Sequence, residues 1–343
     1  MKLLRRAAVL LLAALLLVPA RAAEGTQFTD VPQTHWAYES VRAATQYGLI
    51  NGLSTKTFGL GQTLTRAQYC AMLCRLMGWT EVLPDKPTFS DNRDKTVWYY
   101  GAVETAYLNG ALLKLGAGCA PDDPLPREEM AAMTVRALGY ASLAGTVQDD
   151  CPFSDVSTNR GYIALAYHMG IMGGDGTQKF SPKAASTREQ AAAVLLRVYD
   201  RLHADIARRR LSAVPADAMV YAEALSGQSG RIPMCPRAPL ESVYDAAVKA
   251  GAGGAVALRT TPWAAVVADG KVLSETALTP EELTELLADE ATAVYRSARY
   301  ESSYLIRTEE DGTQTVAWYE TEEDVALKIG LCRMLGVKTV YIE

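Results

Sequence analysis

The chain has 343 residues, 49% of them apolar, with 34 basic and 39 acidic side chains and a formal net charge of −5. That length and apolar fraction suffice for two or more packed cores at roughly 100–200 residues each. The acidic balance argues against nucleic acid as a partner, because phosphate backbones are held by lysine and arginine.

In chain order, residues 1–22 read as a secretory signal peptide. Lys2, Arg5 and Arg6 form a basic start, Ala7 to Val18 is purely apolar, and Ala20-Arg21-Ala22 supplies small residues for cleavage. The apolar run is too short to span a bilayer, and no other stretch could, so no membrane partner is expected after cleavage. Cleavage would remove Lys2, Arg5, Arg6 and Arg21, leaving 30 basic residues against 39 acidic, 30 − 39 = −9.

Three stretches then repeat. Leu64-Thr65-Arg66-Ala67-Gln68 is followed by Leu125-Pro126-Arg127-Glu128-Glu129 and Ser186-Thr187-Arg188-Glu189-Gln190, at constant spacing (127 − 66 = 188 − 127 = 61). A fixed period of this kind decides the architecture. Thr65 and Thr187 stand where a helix begins and can cap its free N–H groups. Arg66, Arg127 and Arg188 follow at the positive end of the helix dipole. A planar cation beside free backbone donors is a seat for a carboxylate. The usual role of a single such arginine is a surface ion pair; three at one period point to a shared task.

Each copy predicts two helices. Repeat one (28–80) opens with Phe28-Thr29-Asp30-Val31-Pro32 and His35-Trp36-Ala37, and repeat two (88–141) with Phe89-Ser90-Asp91 and Val97-Trp98-Tyr99. Repeat three (152–200) opens with Phe153-Ser154-Asp155-Val156, and its helices are joined by Gly170-Ile171-Met172-Gly173-Gly174-Asp175-Gly176, read as a tight turn. Asp30, Asp91 and Asp155 precede a helix, so capping is their expected role, with ligand contact as the alternative. Trp36 and Trp98 are expected to pack in the core, with sugar stacking as the alternative.

The order Phe-Ser-Asp-Val, His-Trp-Ala, Gly-Ile-Met-Gly-Gly-Asp-Gly, Phe-Ser-Pro, Thr-Arg-Glu resembles the S-layer homology domain, in three tandem copies over roughly residues 28–200. The resemblance implies a mainly α bundle of three helix–loop–helix units with pseudo-threefold symmetry. It also implies grooves that hold a secondary cell-wall polysaccharide bearing a pyruvate ketal, whose carboxylate would pair with Arg66, Arg127 or Arg188. The copies are unequal. Gln68 stands where the motif has glutamate, and Pro126 replaces the capping threonine. Lys114-Leu115-Gly116-Ala117 replaces the Asp-Gly loop, and Arg160-Gly161-Tyr162 replaces the tryptophan. On that basis repeats one and three rank above repeat two.

Residues 201–213 read as a linker, within a charged helical extension over 199–216, and residues 214–343 as a small α/β domain. Its signals are a helix over Glu241 to Ala250, a strand at Ala255–Leu258 and hairpins at Asp269-Gly270 and Asp311-Gly312. A proline-started helix follows Thr279, another follows Thr321, and a strand closes the chain. Glu301-Ser302-Ser303-Tyr304, Asp311-Gly312-Thr313 and Val316-Ala317-Trp318-Tyr319-Glu320 are similar to the end of family-18 glycoside hydrolase barrels. About 130 residues cannot form a barrel of typically 250, and that family's Asp-x-x-Asp-x-Glu strand is absent. Glu320 and Glu323 are therefore expected on the surface.

Among six cysteines (Cys70, Cys74, Cys119, Cys151, Cys235, Cys332) the spacing demands no disulfide. Cys70 and Cys74 fit an apolar helix face, and Cys119 with Cys151 is the better pair. The three histidines share no metal-ligand spacing, so neither metal nor cofactor is expected. The expected function is noncovalent anchoring of an exported, non-enzymatic protein to the cell wall. The alternatives are a wall-anchored or degenerate glycan hydrolase, whose catalytic carboxylate pair is not visible, and self-assembly into a surface layer.

Overall fold

The computed structural model describes residues 28–210, 219–220 and 236–343. The signal peptide, the boundary at Val214-Pro215 and Cys235 lie outside the described residues.

The first part is helical: α1 (Tyr38–Gln46), α2 (Arg66–Met77), α3 (Tyr100–Leu108), α4 (Arg127–Ala137), α5 (Arg160–His168) and α6 (Arg188–Leu202). The helices pack across the copies, α2 on α3, α4 on α5 and α6 on α1, so the chain's last repeat returns to its first. Gly78 ends α2 in the left-handed conformation at φ 66°, a position that favours glycine. Gly174 is needed for room, since a β-carbon there would lie 2.6 Å from the Phe153 ring and 2.5 Å from the Lys179 carbonyl.

The second part is mixed. Strands β1 (Ala207–Arg210), β2 (Met219–Val220), β3 (Ala255–Leu258) and β9 (Thr339–Ile342) form a parallel sheet in the order β1-β9-β3-β2, with α7 (Leu240–Ala250) and α9 (Glu322–Met334) between its strands in sequence. An antiparallel sheet in the order β5-β4-β8-β7-β6 holds β4 (Trp263–Ala268), β5 (Lys271–Ala277), β6 (Thr292–Ser297), β7 (Ser302–Thr308) and β8 (Gln314–Tyr319). Trp263, Val316 and Trp318 bury one face of it. Ala264, Leu305 and Ala317 bury the other, with Leu283 and Leu286 of α8 (Pro280–Ala288) against them.

A single apolar cluster runs from the helical part into the second part, through Tyr140 and Leu143 to Val243, Ile329 and Cys332. Tyr140 Oη donates to the Leu327 carbonyl at 3.4 Å, Thr146 meets Glu241 at 3.4 Å, and His168 hydrogen-bonds Tyr244.

Several expectations are corrected. The helical extension ends at Leu202, and Ala207–Arg210 is a strand, its Ala207 N–H donating to Lys338 O at 2.9 Å. Pairing with β9 overrides the helix propensity of the arginines. Cys119 and Cys151 are both buried free thiols, as are Cys70, Cys74 and Cys332. Glu320 is not on the surface: its side chain is 4% exposed and lies 2.5 Å from the 1%-exposed ammonium of Lys328. Glu323 is exposed as expected.

Candidate functional site

The three motif stretches meet in a ring. Leu64 N–H donates to Ser186 O at 2.8 Å, Leu125 N–H to Leu64 O at 2.9 Å, and Ser186 N–H to Leu125 O at 2.8 Å. The next backbone donor continues the pattern. Arg66 N–H reaches Asp123 O at 3.1 Å, Arg127 N–H reaches Ala184 O at 2.9 Å, and Arg188 N–H reaches Gln62 O at 3.0 Å. Helix-start donors that otherwise lack partners are thus met by the stretch of a neighbouring copy.

Each arginine side chain then reaches the loop of the next copy. Arg127 donates from Nε to Phe180 O and from Nη2 to Gly173 O, both at 3.0 Å. Arg188 donates from Nε to Phe58 O at 2.9 Å and from Nη2 to Asn51 O at 2.6 Å. These acceptors occupy equivalent loop positions, and in both cases the guanidinium lies over a phenylalanine ring, Phe180 at 4.8 Å and Phe58 at 5.0 Å. Arg66 differs: Nη1 meets Ala120 O, while Nε and Nη2 each lie 2.7 Å from a Glu129 oxygen. Burial pulls the Arg127 and Arg188 pKa down, with Asp30 and Glu189 opposing it at Arg188. At Arg66 burial also pulls down, but Glu129 outweighs it and the pKa is raised.

The aspartates hold the loops. Asp30 accepts from the N–H groups of Phe58 (2.8 Å), Gly59 (2.7 Å) and Leu60 (3.2 Å). Asp91 accepts from Cys119 (3.0 Å) and Ala120 (2.8 Å), and Asp155 from Phe180 and Ser181 (both 2.8 Å). Helix capping, their expected role, is thereby corrected: the donors are 25 to 30 residues away and not in the following helix. Burial would raise the Asp30 and Asp91 pKa, but these backbone donors outweigh it and hold both carboxyls below the usual range; at Asp155 the donors lead.

Trp36 and Trp98 are 61% and 62% exposed, which corrects the expected core role. Each stands two residues ahead of its helix, outside the inward-facing stripe. Trp36 lines a groove of about 440 Å³ together with Arg127, Tyr167, Met172, Gly173 and Arg197. The groove is built from three copies: Trp36 from the first, Arg127 from the second, and the glycine loop and α6 from the third. This groove is thus composite and belongs to no single copy. Arg127, from the copy ranked last, lines the open groove, while Arg66 of repeat one carries an internal carboxylate.

Thr65 caps α2 as expected. Its hydroxyl accepts from Gln68 N–H, and Gln68 Oε1 accepts from Thr65 N–H, both at 3.2 Å. Gln190 Oε1 accepts likewise from Thr187 N–H at 3.3 Å. Arg197 escaped the sequence reading, although Arg75, Arg136 and Arg197 keep the same period (136 − 75 = 197 − 136 = 61). Arg136 and Arg197 each donate to a loop carbonyl, Ala111 O at 3.3 Å and Ile171 O at 2.9 Å.

In the second part, Glu320 accepts from Ser302 Oγ at 2.9 Å and from Lys328 Nζ at 2.5 Å, and Lys328 also donates to Ser302 at 2.8 Å. Burial raises the Glu320 pKa and lowers that of Lys328, each against the pull of its partner. Among the described residues no group of His, Cys, Asp and Glu could hold a metal ion, and no helix is long and apolar enough to cross a membrane.

The S-layer homology domain model matches residues 27–70 and 152–192. An endoglucanase from Bacillus sp. (strain KSM-635) is 34% identical over 174 residues, 49% of this chain and 18% of that protein. The S-layer protein sap of Bacillus anthracis is 28% identical over 175 residues, 50% of this chain and 21% of that protein. The chain thus spans about a fifth of the length of these relatives. Among solved structures, a putative sporulation-specific glycosylase, ydhD from Bacillus subtilis, covers 73% of this chain at 12% identity, with a TM-score of 0.29 that carries no argument. Residues 27–70 and 152–192 are therefore S-layer homology segments, and they mark the chain as a secreted cell-surface protein.

Proposed function

We propose that the helical part anchors the protein noncovalently to the cell wall, by taking carboxylate groups of a secondary cell-wall polysaccharide into the seams between its copies. Arg127 carries this reading. Its guanidinium lies over Phe180 in the groove, is hydrogen-bonded to two neutral backbone carbonyls, and among the described residues has no carboxylate on it. A half-buried cation held in place without a counter-ion favours an anion there, and a charge-assisted bond to a carboxylate is about twice as strong as a neutral one. Arg188 repeats the two carbonyl bonds and the ring contact, with Phe58, at a more buried position. A pyruvate ketal supplies such a carboxylate on a sugar, and the exposed Trp36 offers that sugar a ring face. Weak seams on one rigid body add through effective concentration.

The same reading assigns no hydrolysis to the second part. Glu320, the acidic residue of the Trp318-Tyr319-Glu320 run, is held in the interior by Lys328 and Ser302, where a general acid would have to face a sugar.

The test is cosedimentation of the full chain with purified cell wall, before and after acid removal of its secondary polymer. Binding that disappears with the polymer and falls at least tenfold in the Arg127→Ala, Arg188→Ala double variant is the expected result. Retention of the folded double variant at wild-type level would overturn the arginine seat. Binding to stripped wall would overturn the polymer as ligand.

A further inference from the structure

Two sequence differences in the second copy converge on one seam. Cys119 stands where the other copies have Phe58 and Phe180 (119 − 58 = 180 − 119 = 61), so Arg66 lacks the ring on which Arg127 and Arg188 rest. Pro126 stands where they have Thr65 and Thr187. Gln68 and Gln190 spend their side-chain oxygens on the N–H of those threonines, but proline has no N–H to offer. Glu129, in the equivalent position, is released from that duty. It accepts both Nε and Nη2 of Arg66 at 2.7 Å, the two-pronged geometry a carboxylate ligand would use. Arg66 and Arg188 are equally buried, at 5% and 4% exposure; what sets Arg66 apart is that its Nε and Nη2 already hold a carboxylate, which a second one would have to displace.

We infer that Glu129 is an internal substitute for the polymer's carboxylate, so that the Arg66 seam is closed to glycan while the Arg127 and Arg188 seams, whose arginines are met by backbone carbonyls, are left to take one. The inference rests on the anchoring function proposed above. A tethered, pre-aligned carboxylate has an effective concentration far above that of any single free sugar, so the closed seam stays closed on wall. The module thereby offers two anion sites from three copies, and the pairing doubles as a clamp between copies one and two.

The discriminating experiment is calorimetric titration of the full chain with a methyl glycoside carrying a 4,6-linked pyruvate ketal. One site per open seam gives two equivalents for the wild type and three for Glu129→Gln, which keeps the shape and removes the charge. In the wild type, ¹⁵N-detected arginine Nε–H resonances provide a check that needs no variant: saturation with the glycoside shifts those of Arg127 and Arg188 and leaves that of Arg66. A count that stays at two in Glu129→Gln, or an Arg66 resonance that moves with the others, overturns the inference and leaves anchoring intact. No heat and no shift in either protein overturns the anchoring function, and this inference with it.

Discussion

The two parts of the molecule treat charge in opposite ways. In the repeat part most seam charges are met by backbone groups, Arg127 and Arg188 by loop carbonyls, Asp30 and Asp91 by loop N–H groups, and Arg66 on Glu129 is the exception. In the C-terminal part buried charges are met by opposite ones, Glu320 by the equally buried Lys328 and Asp324 by the exposed Arg296. A charge satisfied by neutral dipoles keeps its field available to a ligand. A charge satisfied by its opposite is spent on the fold. That difference, more than the count of ionisable residues, separates a surface able to bind an anion from one that stabilises itself.

The contrast can be broken most forcefully at Lys328. Lys328→Met would leave Glu320 buried without its counter-ion, with only Ser302 to bond it, and cost about 3–5 kcal/mol by chemical denaturation. A loss below about 1 kcal/mol would show the pair to be hydrated and the contrast overstated. Asp30→Ala removes the acceptor of three loop N–H groups and is expected to cost about 2–4 kcal/mol. Loss of wall binding in the same variant would show that the loop carbonyls facing Arg188 must be held in place. Acid tests the same aspartates without mutation. Their folded pKa lies below the unfolded value of about 4, so their contribution is complete above that pH and is lost as pH falls through the folded values. Melting temperature should thus fall from about pH 4 downward in the wild type, and less steeply in Asp30→Ala. Thr65→Ala should cost about 1 kcal/mol through the cap of α2. The smallest effect on stability is expected at Trp36→Ala, within about 0.5 kcal/mol, since the ring is exposed. Retention on wall should nevertheless fall several-fold, and an unchanged value would remove Trp36 from the binding surface.

Much of the repeat part was legible in the sequence because its signals are local. Thr65 followed by Gln68 is a capping pair within one turn, and the constant spacing aligned three helix starts. The roles that escaped are set by contacts across the chain. Asp30 lies just ahead of a helix, yet its partners come at residues 58–60, on a loop it anchors. Trp36 carried a hydrophobic prior toward the core, but its place outside the buried stripe of Val41 and Ala44 turns it to solvent. Each arginine serves the loop of the following copy, so copy two's departures appear at Arg66 and not at Arg127. In the C-terminal part the hairpins at Asp269-Gly270 and Asp311-Gly312 and the cap at Thr321 were readable as turn and cap chemistry. Burial of Glu320 was not, because it depends on a lysine two turns into α9. Strand β1 was hidden as well, since only pairing with β9, some 130 residues later, makes an extended arginine run favourable (339 − 207 = 132).

The ring of backbone bonds through Leu64, Leu125 and Ser186 has a consequence for copy number. Repeat proteins that stack in an open line can lose or gain a unit, provided their two ends are sealed by special terminal copies. Here the third copy's acceptor is used by the first, so there are no ends to seal and no place to insert a fourth. Deleting one copy exposes two unmatched flanks at once, so the array cannot be shortened a copy at a time. Evolution of such a module is therefore confined to changing residues within three fixed positions.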